Sequence, residues 1–223
     1  MIFTRVINFT MSLKVNEIYY SIQGESTHAG KPCIFIRLTY CNLRCTYCDT
    51  EYAFYDGKDM EIHEIIKEIA KWNCQLVEIT GGEPLMQDMC IDLLQELVTK
   101  KYNIMLETSG SLSIAKVPRE VIKIIDFKCP SSKMDKKNLW TIIKYIQPYD
   151  EIKFVIGNRE DFDWAKGKII EYQLDSICTI LFSPTYGKIN PQKIVKWILE
   201  ENLPVRMQLQ LHKVIWQPEQ IGV

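Results

Sequence analysis

Three thiols fall within eight residues, Cys41-Asn42-Leu43-Arg44-Cys45-Thr46-Tyr47-Cys48, spaced Cys-x3-Cys-x2-Cys directly after an apolar run. Thiolates are soft ligands suited to iron–sulfur clusters, zinc or copper. A closed tetrahedral zinc site takes four protein ligands, and a fully protein-ligated 4Fe–4S cluster takes four cysteines. Three thiolates therefore leave one iron of such a cluster open to a small chelating molecule. The same positions, i, i+4 and i+7, also share one helix face, where they would be core thiols on an apolar stripe. The strand-like run just before them argues for a loop and a cluster. The other five cysteines (Cys33, Cys74, Cys90, Cys129, Cys178) lie mostly in apolar surroundings and read as core thiols.

Other residues carry chemistry beside this loop. Arg37 is the one charge in the apolar run Cys33 to Tyr40, and a buried arginine needs an anionic partner. In Gly81-Gly82-Glu83-Pro84 two glycines allow close backbone approach to a ligand, and a carboxylate can pair with an ammonium. Glu25 and His212 are candidates for proton handling, since an imidazole titrates near working pH and a carboxylate can be tuned toward it. His28 and His63 read as a loop residue and a residue on a helix of mixed polarity.

The elements that must position these groups alternate. Strands are expected at Lys14 to Tyr20, Cys33 to Tyr40, Leu76 to Thr80, Asn103 to Glu107, Val121 to Phe127, Glu151 to Ile156, Ser176 to Phe182 and Val205 to Leu211. Helices are expected at Met60 to Trp72, where Ile62, Ile65, Ile66 and Ile69 fall at helical spacing, and at Leu85 to Lys100, Asp135 to Ile146, Asp161 to Tyr172 and Pro191 to Glu201. Strand–helix alternation implies parallel strands with crossover helices, and ligands gather at the carboxyl ends of such strands. The strands are too few for an eight-fold barrel, so an incomplete, TIM-like α/β barrel is expected, as one domain of 223 residues with residues 1–13 as an N-terminal extension.

The cysteine spacing resembles the signature of the radical S-adenosylmethionine superfamily, and Gly81-Gly82-Glu83-Pro84 matches that superfamily's second motif. A narrower resemblance, in Ile22-Gln23-Gly24-Glu25, Phe35-Ile36-Arg37, Cys48-Asp49-Thr50, Thr80-Gly81-Gly82-Glu83-Pro84 and Leu211-His212-Lys213, is to the 7-carboxy-7-deazaguanine synthase family, and runs from about Lys14 to Pro218. It implies a radical ring contraction. A reduced 4Fe–4S cluster cleaves S-adenosylmethionine, the resulting radical abstracts hydrogen from 6-carboxy-5,6,7,8-tetrahydropterin, ammonia leaves, and S-adenosylmethionine is regenerated. Magnesium is implied as well.

Carried over residue by residue, the resemblance gives Cys41, Cys45 and Cys48 to the cluster and Thr50 to magnesium. It gives Ile22, Gln23, Gly24, Arg37, Thr80 and Pro218 to the pterin, with Arg37 facing its carboxylate. Tyr47, Cys48, Asp49 and Gly82, then Cys129, Pro130 and Ser131, then Ser183, Pro184, Thr185 and Tyr186, fall to S-adenosylmethionine. Glu25 and His212 match polar residues near the pterin. The chain departs from its relatives in three places. A five-residue tail follows Pro218, Cys129-Pro130-Ser131 replaces Ser-Pro-Lys, and Ser109 replaces Asn in Glu-Thr-Asn-Gly. The rival readings are a glycyl-radical-activating enzyme and a non-catalytic iron–sulfur or zinc module.

Bulk properties agree with a soluble enzyme. The charges nearly balance, 27 basic against 28 acidic residues, which suggests neither nucleic acid nor an anionic membrane as partner. No apolar run reaches the roughly 18 residues of a membrane span, and the N-terminus does not read as a secretory signal. A cytoplasmic location, a flavodoxin- or ferredoxin-like electron donor and a homodimer, with Trp216 and the apolar C-terminal segment as its contact, complete the expectation.

Overall fold

The computed structural model describes residues 12–223; most of the expected N-terminal extension lies outside the described residues. Among the described residues nine strands form one open sheet, ordered β3-β1-β2-β4-β5-β6-β7-β8-β9. These are β1 (Ser12–Ile22), β2 (Pro32–Leu38), β3 (Lys58–Glu61), β4 (Leu76–Gly81), β5 (Asn103–Thr108), β6 (Ile122–Phe127), β7 (Glu151–Ile156), β8 (Thr179–Pro184) and β9 (Arg206–Met207). From β2 through β4 to β9 every neighbouring pair is parallel, as an incomplete barrel requires. β1 and β3 differ: β1 runs antiparallel to β2, and β3 antiparallel to β1.

The helices are α1 (Ile62–Ile69), α2 (Cys90–Thr99), α3 (Arg159–Tyr172), α4 (Pro191–Glu200) and the single turn α5 (His212–Ile215). α1 starts at a capping box in which Glu61 and Glu64 satisfy each other's backbone. α3 and α4 start at Asn158 and Asn190, whose side chains accept from the first-turn amides of Asp161 and Gln192. Met60 and Glu61, expected as the start of a helix, belong to β3 and pair with β1 instead.

Three expected elements are broken or cut short where a polar side chain takes the backbone elsewhere. The helix from Leu85 is interrupted at Gln87, which accepts from Lys14 N–H at 2.7 Å and donates to the carbonyls of Lys14 (3.0 Å) and Thr39 (2.9 Å). The helix at Asp135 to Ile146 is two 3-10 segments, Asp135–Lys137 and Trp140–Tyr145. Between them Asn138 holds both backbone groups of Lys128 at 2.9 Å, and Trp140 stacks on Phe127 and Tyr172. The last strand ends at Met207, after which Gln208 Oε1 accepts from Ser26 N–H at 2.8 Å and draws the chain over the sheet's open end. Four phenylalanines, Phe127, Phe154, Phe162 and Phe182, are among the largest fully buried side chains. All five core-thiol cysteines are buried.

Candidate active site

The cysteine loop leaves β2 without forming a helix, and the common-face reading of its thiols does not hold. Its conformation is held from outside: Thr46 donates through its amide to Ser132 carbonyl (3.2 Å) and through its hydroxyl to Ser131 carbonyl (2.7 Å). Arg44 lies over the Phe54 ring at 4.2 Å and donates to Cys41 carbonyl. Cys41, Cys45 and Cys48 are thereby half-buried free thiols on the wall of a cavity of about 660 Å³. Burial pushes all three thiols up, Cys45 to about 11.

Gly81 and Gly82 end β4 against this loop. A Cβ on Gly82 would fall on the carbonyl of Tyr40 and on Cys41, so glycine is required by the neighbouring backbone. Glu83 is fully buried and accepts from Thr108 Oγ1 (2.9 Å), Ser109 N–H (2.7 Å), Ser109 Oγ (2.5 Å) and Leu85 N–H (3.1 Å). Its carboxylate is thus engaged by protein donors and fixes the β4 and β5 ends to each other.

The other expected residues reach the cavity from several elements. Arg37 on β2 finds its anion in Glu17: Nε donates to Oε1 at 2.7 Å, and Nη2 donates to Tyr19 OH at 3.0 Å. Gln23 accepts from Glu25 N–H at 3.0 Å and donates to Glu78. Gly24 has no room for a Cβ because His212 Nδ1 occupies the space, and Gly24 carbonyl accepts from Leu211 N–H at 2.9 Å. That contact brings α5 and His212 to the cavity from the far end of the chain. Thr50 donates to Asp49 at 3.0 Å, and Lys213 pairs with Asp49. Ile22, Tyr47, Thr80, Ser183, Pro184, Thr185, Tyr186 and Pro218 also line the cavity, as does the tail to Val223. Cys129, Pro130 and Ser131 do not: Cys129 is fully buried, and Ser131 N–H donates to Asp161 at 2.9 Å.

A buried charge cluster at the cavity floor escaped the sequence reading. Lys153 on β7 pairs with Glu25 (2.9 Å), with Glu107 on β5 and with Asp126 on β6 (3.6 Å), and Lys128 pairs with Asp126 (2.9 Å). The usable signal was a lysine in the middle of an apolar strand, the argument already made for Arg37. Burial works to raise the Glu25 carboxyl, but the Lys153 ammonium and Gln210 outweigh it and hold it below its ordinary value. Burial lowers His212, against the pull of Glu25, so its imidazole is neutral at pH 7.

The residues fit the groups the cysteine motif implies. Among the described residues no three His, Cys, Asp or Glu side chains converge as they would around one ion. A cluster taking one thiolate per iron needs no such convergence. Among the described residues three buried side-chain polar atoms lack a partner: Tyr47 OH, Asp126 Oδ1 and Thr185 Oγ1. All three belong to residues lining this cavity, where a polar ligand would satisfy them. Thr50 supplies a hard hydroxyl oxygen suited to magnesium.

Fold and site together define a radical S-adenosylmethionine enzyme, and the family model described as "Radical SAM superfamily" matches residues 35–128. A 7-carboxy-7-deazaguanine synthase of Koribacter versatilis is 42% identical over 95% of this chain and 100% of its own length. One from Chlorobaculum tepidum is 42% identical over 95% of this chain and 97% of its own. Among solved structures, QueE from Escherichia coli superposes with a TM-score of 0.77 at 21% identity, covering 91% of this chain and 95% of that one, which shows the shared fold. The chain belongs to the 7-carboxy-7-deazaguanine synthase family.

Proposed function

We propose that the chain converts 6-carboxy-5,6,7,8-tetrahydropterin to 7-carboxy-7-deazaguanine and ammonia, a step of 7-deazapurine biosynthesis leading to queuosine or archaeosine. The observation that carries this reading is that the three cysteines and the residues matched to the pterin (Gln23, Arg37, Thr80 and His212) line one cavity. The reduced 4Fe–4S cluster, when bound by Cys41, Cys45 and Cys48, supplies the electron that cleaves S-adenosylmethionine and so the radical that takes a substrate hydrogen. The protein supplies binding, orientation and proton handling.

Arg37 is held by Glu17 and Tyr19, and its remaining guanidinium nitrogen, Nη1, is the donor for the substrate carboxylate. Tyr47, Asp49, Gly82 and the loop Ser183 to Tyr186 bind S-adenosylmethionine, and Thr50 holds magnesium. Glu25, kept ionised by Lys153, and His212, kept neutral by burial, are both proton acceptors at pH 7. They take protons from the contracting pterin ring and return them to the nitrogen that leaves, since pterin equals deazapurine plus ammonia with no net proton released. We place the reaction in the cytoplasm, with a flavodoxin- or ferredoxin-like donor and a homodimer formed through the C-terminal segment, where Val214, Ile215 and Ile221 are exposed while Trp216 is half-buried.

Anaerobic incubation of reduced, cluster-loaded protein with S-adenosylmethionine and the carboxytetrahydropterin tests the reading. Deazapurine and ammonia are expected in equal amounts. Absence of deazapurine at full cluster loading sinks the reading and favours a glycyl-radical-activating enzyme.

A further inference from the structure

Strands β4 to β7 each send one ionisable side chain to the floor of the cavity: Glu78, Glu107, Asp126 and Lys153. The single ammonium reaches Glu25, Glu107 and Asp126 but not Glu78, for which no cation stands within 4.0 Å among the described residues. Gln23 Nε2 donates to Glu78 Oε2, and Oε1 accepts from no described group. Glu78 is 4% exposed, yet it lines the cavity. That oxygen is not among the fully buried unpartnered atoms, so it opens on the cavity, and packing alone gives no reason to keep a carboxyl there.

Its depth matters. In the β2–β4 register Arg37 stands opposite Thr80 and Phe35 opposite Glu78, so the acid lies two residues, or ~7 Å, below the guanidinium level. A carboxylated pterin has the same polarity. Its carboxylate is on one ring, and the 2-amino-4-oxo ring with its N–H donors is at the other end. The groups facing Glu78 are Tyr19 from β1, Cys33 from β2, Glu25 from the β1–β2 loop, Glu107 from β5 and Lys153 from β7. Burial first, then Glu107, push the Glu78 carboxyl up to about 8. Both causes favour the neutral carboxyl in the unliganded site.

Resting on the pterin reading above, we infer that Glu78 is a substrate-contacting residue, whose free carboxyl oxygen accepts from the N–H edge of the pterin's amino-oxo ring while Arg37 takes the carboxylate at the other end. Accepting those hydrogen bonds favours the ionised carboxylate, so binding expels a proton.

The test is anaerobic calorimetry of carboxytetrahydropterin binding to cluster-loaded protein with S-adenosylmethionine, at pH 7 in two buffers of different ionisation enthalpy. Wild type is expected to release a proton on binding. Glu78→Gln is expected to release none and to bind the pterin at least about tenfold more weakly, the effect of a hydrogen bond to a charged group. Its affinity for S-adenosylmethionine should be unchanged. Zero proton release by wild type, or equal pterin affinity in Glu78→Gln, overturns the inference and leaves the pterin reading standing. Failure of wild type to bind the pterin at all overturns both. If the variant does not fold, the wild-type proton count decides alone.

Discussion

Glu25 and Glu78 share one cavity and respond to pH in opposite senses. Glu25 has a folded value below its ordinary 4.5, so its stabilisation is present above that pH and is lost as pH falls through the lowered value. Glu78 is raised from 4.5 to about 8, so the stability it gives is complete below pH 4.5 and is lost as pH rises to about 8. Glu78→Gln should therefore melt several degrees higher than wild type at pH 8 and equally at pH 4 in the unliganded protein. Equal melting at both would show that the carboxyl carries no such cost. Arg37→Ala should weaken pterin binding more than S-adenosylmethionine binding; equal loss of both, measured by titration of each ligand, would make Arg37 only a partner for Glu17. At this scale the sequence was legible where a residue type was out of place: clustered thiols, and an arginine within an apolar strand. Glu83 reads differently in three dimensions, because Thr108 and Ser109 come from a strand 25 residues on. Their grip on its carboxylate leaves no trace in local pattern.

Elements were legible where periodicity ruled, and lost where one polar side chain took over the backbone. All the parallel strands were visible as apolar runs, although β9 was overestimated, and α1, α3 and α4 as amphipathic stretches closed by caps or prolines. Gln87 and Asn138 broke expected helices, and neither is a helix breaker by propensity. Each clamps a strand end that the site depends on. Gln87→Ala removes three hydrogen bonds between the β4–α2 turn and the β1 and β2 segments. Denaturant titration should show a loss of about 1–3 kcal/mol, the range for leaving partly buried backbone groups unpaired. A loss near zero would mean that water replaces the amide at no cost. Asn138 acts on the segment that carries Lys128 and then the turn that grips Thr46. Beyond Lys128, which lines the cavity, the connection from β6 to β7 thus supports the cysteine loop from outside it.

Across the whole molecule the sheet gathers residues separated by nearly the full chain: Gln23 and Glu25 after β1, the cysteines after β2, Lys153 on β7, and His212 on α5. Lys153 holds acids from three other segments, so its loss leaves the half-buried Glu25 and Glu107 without a cation, while Asp126 keeps Lys128. Lys153→Met should destabilise the fold by about 3–5 kcal/mol, the cost of breaking a buried ion pair from one side. A denaturation midpoint unchanged from wild type would place water in that cluster. The arrangement was predictable in outline, since alternating elements bring strand ends to one rim. The antiparallel β1–β3 edge was not, because it pairs segments distant in sequence, nor was the return of the chain after β9, which Gln208 and Gly24 set through contacts with Ser26 and Leu211. The central claim is that this rim turns over the pterin with S-adenosylmethionine acting as a regenerated cofactor. It is tested most directly by counting deazapurine formed by reduced, cluster-loaded protein when S-adenosylmethionine is supplied well below the pterin concentration. The account predicts many molecules of product for each S-adenosylmethionine supplied. Product that stops at or below one per S-adenosylmethionine would contradict it.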